Sequence, residues 1–96
     1  MSDVSTFSGS DITNALAKLP GWTRDGDTIT KEFTFDAFMD AIGFVDRIAE
    51  RAEAANHHPD LEIHYDRVVV SLTTHSAGGI TQKDLDLAGE IDACAR

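Results

Sequence analysis

Histidine is the side chain in this sequence best suited to moving protons. Three of the four, His57, His58 and His64, fall within eight positions, and His75 follows eleven residues later. An imidazole gives or accepts a proton near neutral pH, so such a cluster points to general acid–base chemistry. Glu53 stands four residues before His57, which on a helix sets both on the same side of the last turn. The C-terminal pole of that helix favours a cation, and the Glu53 carboxylate adds a negative charge nearby. Pro59 disfavours helical geometry at the residue before it, so His58 is expected to point in a different direction from His57. Farther along, Thr81-Gln82-Lys83-Asp84 has the capping-box pattern of a helix start, with Asp84 in place of the usual glutamate.

Each of these residues also has a plainer use. A His-His-Pro helix end can be only a C-cap with two solvated rings. His64 alternates with Leu61, Ile63 and Tyr65, which favours a surface position, while Tyr65 itself can serve as core. His75 alternates with Ser71 and Thr73, off the apolar stripe of Val68, Val70 and Leu72, so it faces away from the helices or into a cleft at the strand's end. Asp84 has an ordinary job as a cap. Zinc accepts histidine and glutamate as ligands, yet adjacent His57 and His58 rarely reach one ion together and no HExxH or CxxC is present, so no metal is expected. No serine sits in a G-x-S-x-G elbow, and no glycine-rich phosphate loop occurs. The single cysteine, Cys94, excludes an internal disulfide and is not expected to be a nucleophile.

The elements that must hold these residues follow from periodicity. Ser8 or Ser10 caps a short helix whose Ile12, Leu16 and Leu19 recur at helical spacing, and Pro20-Gly21 stops it. Trp22 to Arg24 and Thr28 to Phe33 read as a hairpin across the turn residues Asp25-Gly26-Asp27. From Asp36 the period changes: Phe38, Ile42, Val45, Ala49 and Ala52 mark one face of a helix about 19 residues long that ends near Asn56. Leu61, Ile63 and Tyr65 mark a half-buried strand, Asp66-Arg67 a turn, and Val68, Val70 and Leu72 a partner strand running to about His75. Ser76-Ala77-Gly78-Gly79 reads as a flexible connection. Leu85, Ala88, Ile91 and Ala95 form the buried face of a last helix. The order α-β-β-α-β-β-α fits an α+β fold: one four-stranded antiparallel sheet with helices packed on one face.

Ninety-six residues, 42% hydrophobic and 26% charged, suit one globular domain spanning 1–96, with residues 1–7 expected to be loose. Domains this small often associate, so an oligomer is expected. The net charge of −9 repels phosphate backbones and argues against direct nucleic-acid binding. A well-solvated surface and a salt-adapted source both account for the acidity. No apolar run approaches the roughly 18 residues needed to span a bilayer. The start Met1-Ser2-Asp3-Val4 lacks a basic segment followed by an apolar one, so no secretory signal is read and a cytoplasmic protein is expected.

Taken together, Glu53-x3-His57-His58-Pro59-x5-Tyr65-x9-His75-x8-Asp84 resembles the signature of the pterin-4a-carbinolamine dehydratases, also called the dimerisation cofactor family. The resemblance extends upstream through Leu19-Pro20-Gly21-Trp22 and Lys31-Glu32-Phe33 to Phe38, and covers roughly Ile12 to Ala95. It implies the same α+β sandwich, a homodimer or homotetramer, and 4a-hydroxytetrahydropterin as substrate. That compound is the by-product of aromatic amino acid hydroxylases, so such a hydroxylase is the pathway partner implied. Water loss to quinonoid dihydropterin needs an acid for the leaving hydroxyl and a base for the N5 proton; no cofactor is expected. By resemblance, His57 acts as acid and His75 as base, or the reverse, and His58 contacts the pterin. Glu53 orients His57, Asp84 helps to hold the substrate or its neighbours, and Asn56, Pro59 and Lys83 support the pocket.

The sequence departs from many relatives at Asn56, Leu61, Ser76 and Lys83, where Asp, an aromatic, Glu and Arg are common. None of these removes a proposed proton carrier. The competing reading is a non-catalytic interaction protein on the same fold, since an animal member stabilises a transcription-factor dimer and some bacterial relatives assist assembly of a carbon-fixing enzyme. Relatives of that assembly kind generally lose parts of the histidine pattern, which this chain keeps whole.

Overall fold

The computed structural model describes residues 6–95. Most of the segment expected to be loose, residues 1–7, lies outside them. Phe7, its last residue, donates its N–H to the Ile80 carbonyl at 2.8 Å and packs against the core. Helix α1 (Gly9–Leu16) starts at Ser8, whose hydroxyl accepts the Asp11 N–H, and buries Ile12. Gly21 then turns the chain at φ 91°, where a Cβ would come within 2.8 Å of the Lys31 side chain. Glycine suits both demands, since it alone carries no side chain into a left-handed turn.

Strands β1 (Thr23–Asp25) and β2 (Thr28–Thr34) form the expected hairpin. After helix α2 (Phe38–Ala55), β3 (Asp60–His64) and β4 (Arg67–Leu72) form a second one, and helix α3 (Gln82–Cys94) closes the order. All pairs are antiparallel, in the spatial order β1-β2-β4-β3, so the two hairpins meet through β2 and β4. Ile29 faces Leu72 and Phe33 faces Val68 across that central pair. These side chains meet Phe44 and Ile48 of α2 and Leu87, Ala88 and Ile91 of α3 in one apolar cluster. Phe44 packs its ring 4.7 Å from Phe33 and 4.9 Å from Phe35. At the far end of α3, Asp92 accepts from both Lys31 Nζ (2.8 Å) and Trp22 Nε1 (3.0 Å), fastening that helix to the first hairpin.

Several segments differ from their sequence pattern. The buried stripe of α2 is Ala41, Phe44, Ile48 and Ala52, about one residue (~100°) around the helix from the stripe read in the sequence. Helix α2 carries two adjacent apolar stripes, and the aromatic cluster around Phe44 decides which one faces the sheet. Phe38 is left exposed, and Val45 sits at the core's margin. Strand β3 is not half-buried throughout: Leu61 is partly covered, but Ile63 is 42% exposed, because β3 is an edge strand beyond the helices. Tyr65 is not core. It occupies the two-residue β3–β4 turn at φ 55°, is 70% exposed, and stacks on Phe38.

Strand β4 also stops at Leu72, before His75. The stretch read as a flexible connection is a hydrogen-bonded loop: Thr74 bridges to Gly79, residues His75–Ala77 make a 3-10 turn, and Gly78 reverses the chain at φ 78°. The Thr74 carbonyl accepts the N–H groups of Ala77 and Gly78, both at 3.0 Å. Helix α3 has the predicted capping box, and it buries Leu87 and Cys94 in addition to the expected Leu85, Ala88 and Ile91.

Candidate active site

The end of α2, the loop after β4 and the start of α3 surround a cleft of about 410 Å³. That volume lies within the ~300–1,000 Å³ usual for small-molecule sites. Asn56, His57, His58, Thr73, Thr74, His75, Ser76 and Lys83 line it. Three of the four histidines therefore share one opening, although His57 and His75 stand on different elements. His64 does not line it and pairs with Glu62 at 3.1 Å. Glu53, Pro59 and Asp84 lie outside the lining as well.

The helix end decides how the two neighbouring histidines diverge. Asn56 adopts the left-handed conformation (φ 51°, ψ 42°), so α2 stops at Ala55. The His57 N–H reaches back to the Ala52 carbonyl at 3.1 Å, which satisfies one of the helix's last acceptors. His57 is thus outside the helix and no longer one turn above Glu53. The expected Glu53–His57 pair is replaced by two others: His58 Nε2 bonds Glu53, and His57 Nε2 bonds Asp84 Oδ1 at 2.6 Å. The reason is the reversal at Asn56, which carries His57 toward α3 and leaves His58 over the helix.

The two pairs differ in environment. The side chains of His57 and Asp84 are 11% and 0% exposed, whereas those of His58 and Glu53 are 56% and 77% exposed. Asp84 is a helix cap, as the sequence indicated, but it is also the buried carboxylate behind His57. Its Oδ2 accepts the Thr81 N–H at 2.9 Å and the Thr74 hydroxyl at 2.8 Å. A carboxylate accepts hydrogen bonds and donates none, so the His57 nitrogen facing it carries the proton. Nδ1 is then the free nitrogen. Among the described residues no buried side-chain nitrogen or oxygen lacks a partner and no hydrogen bond to His57 Nδ1 is found, so Nδ1 is not sealed off, on a ring that lines the cleft.

Thr74 was missed in the sequence. A signal was present: it continues the alternation Val68, Val70, Leu72 onto the core face, where a hydroxyl must find a partner.

The pattern of the family described as pterin 4 alpha carbinolamine dehydratase matches residues 5–94. The chain belongs to that family. A relative from Mycobacteroides abscessus, provisionally named a pterin-4-alpha-carbinolamine dehydratase, is 58% identical over 81 residues, covering 84% of this chain and 86% of the relative. One from Thermosynechococcus vestitus with the same provisional name is 53% identical over 89 residues, covering 93% and 94%. The crystal structure of a transcriptional coactivator/pterin dehydratase from Brucella melitensis superposes with a TM-score of 0.92 at 36% identity, covering 96% of this chain and all of that one. A pterin dehydratase-like RuBisCO assembly factor of the alpha-carboxysome shares the fold, with a TM-score of 0.64 at 21% identity over 77% of this chain and 86% of its own.

Proposed function

We propose that this chain dehydrates 4a-hydroxytetrahydropterin to quinonoid dihydropterin by histidine acid–base catalysis. The observation that carries this reading is the cleft lined by His57, His58 and His75, with the first held from behind by a buried carboxylate. The provisional names of the family relatives agree with the reaction class. In the step itself, protonation of the C4a hydroxyl lets it leave as water. The electron pair of the N5–H bond forms the C4a=N5 double bond, and a base takes the N5 proton. No electrons are gained or lost, so the reaction needs no redox cofactor, and two proton carriers suffice. As the acid, His57 starts doubly protonated, gives the proton on Nδ1 and keeps the one on Nε2, while His75 accepts the N5 proton; in the reverse assignment neutral His57 accepts at Nδ1 and protonated His75 donates. His58 contacts the pterin, and Asn56 and Lys83 offer polar groups to its edge.

The substrate must come from a reaction that leaves a hydroxyl on C4a, as an aromatic amino acid hydroxylase does. The working unit is a homo-oligomer acting in the cytoplasm. A second, protein-binding role is favoured by one observation: the Brucella melitensis structure is described as a coactivator as well as a dehydratase.

Stopped-flow absorbance of chemically generated 4a-hydroxytetrahydropterin tests the catalytic reading. Wild type is expected to accelerate water loss, and a His57→Ala, His75→Ala double variant to lose most of that acceleration. No acceleration over buffer by folded wild-type protein would reject it.

A further inference from the structure

The carboxylate behind His57 is held by more than a helix cap needs. The capping box requires only Thr81 and Asp84, yet Thr74, from the loop that carries His75, also reaches Asp84 Oδ2 at 2.8 Å. The Thr74 and Thr81 hydroxyls are themselves 2.8 Å apart, and the Lys83 N–H donates to Thr81 Oγ1 at 3.2 Å. Thr74, Thr81 and Asp84 are all buried, so water does not compete for these contacts.

Each hydroxyl has one proton to give. Thr74 gives its proton to the carboxylate, so at the contact between the threonines Thr74 accepts and Thr81 donates. Thr81 in turn accepts from Lys83. The chain therefore runs one way, from the Lys83 N–H through Thr81 and Thr74 to Asp84 Oδ2, and leaves Oδ1 as an acceptor for His57 Nε2.

We infer that Thr74 and Thr81 are positioning residues that act through Asp84 to hold His57 in the tautomer protonated on Nε2, so that proton exchange with substrate passes through Nδ1. Because Thr74 directly precedes His75, the same hydroxyl also ties the loop bearing one proposed proton carrier to the support of the other. The kinetic consequence rests on the proposed dehydratase reading; the tautomer does not.

Long-range 1H–15N correlation of the His57 ring, with the ring neutral, reads the tautomer directly. Wild type is expected to show a protonated Nε2 and an unprotonated Nδ1. Thr74→Val keeps the shape, removes the hydroxyl and lets the Asp84 carboxylate turn away from Nε2, so a mixture of tautomers is expected; Thr74→Ser is expected to restore the wild-type pattern. In dehydration assays, Thr74→Val is expected to lower kcat about 10-fold, part of the roughly 10²–10⁴-fold that a positioned acid or base contributes. KM should change little, and the serine variant should recover kcat. Should the valine variant not fold, Thr81→Ala, which removes the hydroxyl feeding Thr74 together with the side-chain cap of α3, is expected to shift the tautomer in the same direction. Protonation of Nδ1 in wild type would overturn the inference, as would an unchanged His57 pattern in folded Thr74→Val or Thr81→Ala. If the tautomer shifts as expected while wild type fails to dehydrate the pterin, the positioning chain stands and the dehydratase reading falls.

Discussion

Two histidine–carboxylate pairs stand within a few residues of each other, and burial sets what each is worth. His58 and Glu53 are exposed, so their attraction competes with water and with the entropy of two mobile side chains; such pairs contribute ~1 kcal/mol or less. Asp84 is fully enclosed and takes three donors, from His57, Thr74 and Thr81. Removing it leaves all three without their acceptor, and Thr74 and Thr81 are buried. Asp84→Ala is therefore expected to cost about 3–5 kcal/mol of folding stability, and Glu53→Ala less than about 1 kcal/mol. Urea denaturation of the two variants checks this. Equal losses would mean that the enclosed carboxylate contributes no more than the exposed one.

At the scale of elements, the site depends on where α2 stops. Asn56 is left-handed there, and the reversal sends His57 toward Asp84 and His58 toward Glu53. Glycine takes this conformation freely, whereas alanine meets its own Cβ and loses about 1–2 kcal/mol. Asn56→Gly is expected to keep stability and the His57–Asp84 contact. Asn56→Ala is expected to lower thermal stability by that amount and to broaden or shift the ring signals of His57 and His58. If alanine and glycine behave alike in both measurements, the left-handed cap is not what separates the histidines. The helix end itself was legible, since Asn56 followed by a proline three residues on marks a stop. The pairing of Glu53 with His57 was misread because spacing of four has meaning only while the helix continues. The α2 stripe was misplaced for a related reason: Phe38, Ile42 and Val45 obey the helical period as well as Ala41, Phe44 and Ile48 do. Only the contacts of Phe44 with Phe33 and Phe35, residues outside the helix, separate the two. The hairpins and the capping box needed no such information, because alternation and turn residues are local. The local histidine cluster put His64 beside His57 and His58, and only the family resemblance singled out His75, which reaches the cleft from another element.

For the molecule as a whole, the two edges of the sheet are unequal. Strand β1 is only three residues long, all of them exposed, which blunts it as a template for pairing. Strand β3 is five residues long, and its outer side is unpaired. Ile63 on this strand, Tyr65 in the turn after it and Phe38 stacked on Tyr65 are all exposed. A second copy of the chain is the expected cover. Antiparallel pairing of two β3 strands about Glu62 would set Asp60 of one copy opposite His64 of the other and Leu61 opposite Ile63, bringing polar side chains together on one face and apolar groups on the other. It would also oppose Glu62 to itself, and each chain brings a net charge of −9. Assembly therefore works against electrostatic repulsion, which salt screens: the Debye length falls from about 10 Å at 0.1 M to about 3 Å at 1 M. Sedimentation velocity is expected to show a dimer that tightens as salt is added, the reverse of an interface held by ion pairs. Ile63→Lys, placed at the centre of the apolar side, is expected to shift the population to monomer at every salt concentration. A wild-type monomer throughout, or a dimer indifferent to Ile63→Lys, would show that β3 is not where the copies meet.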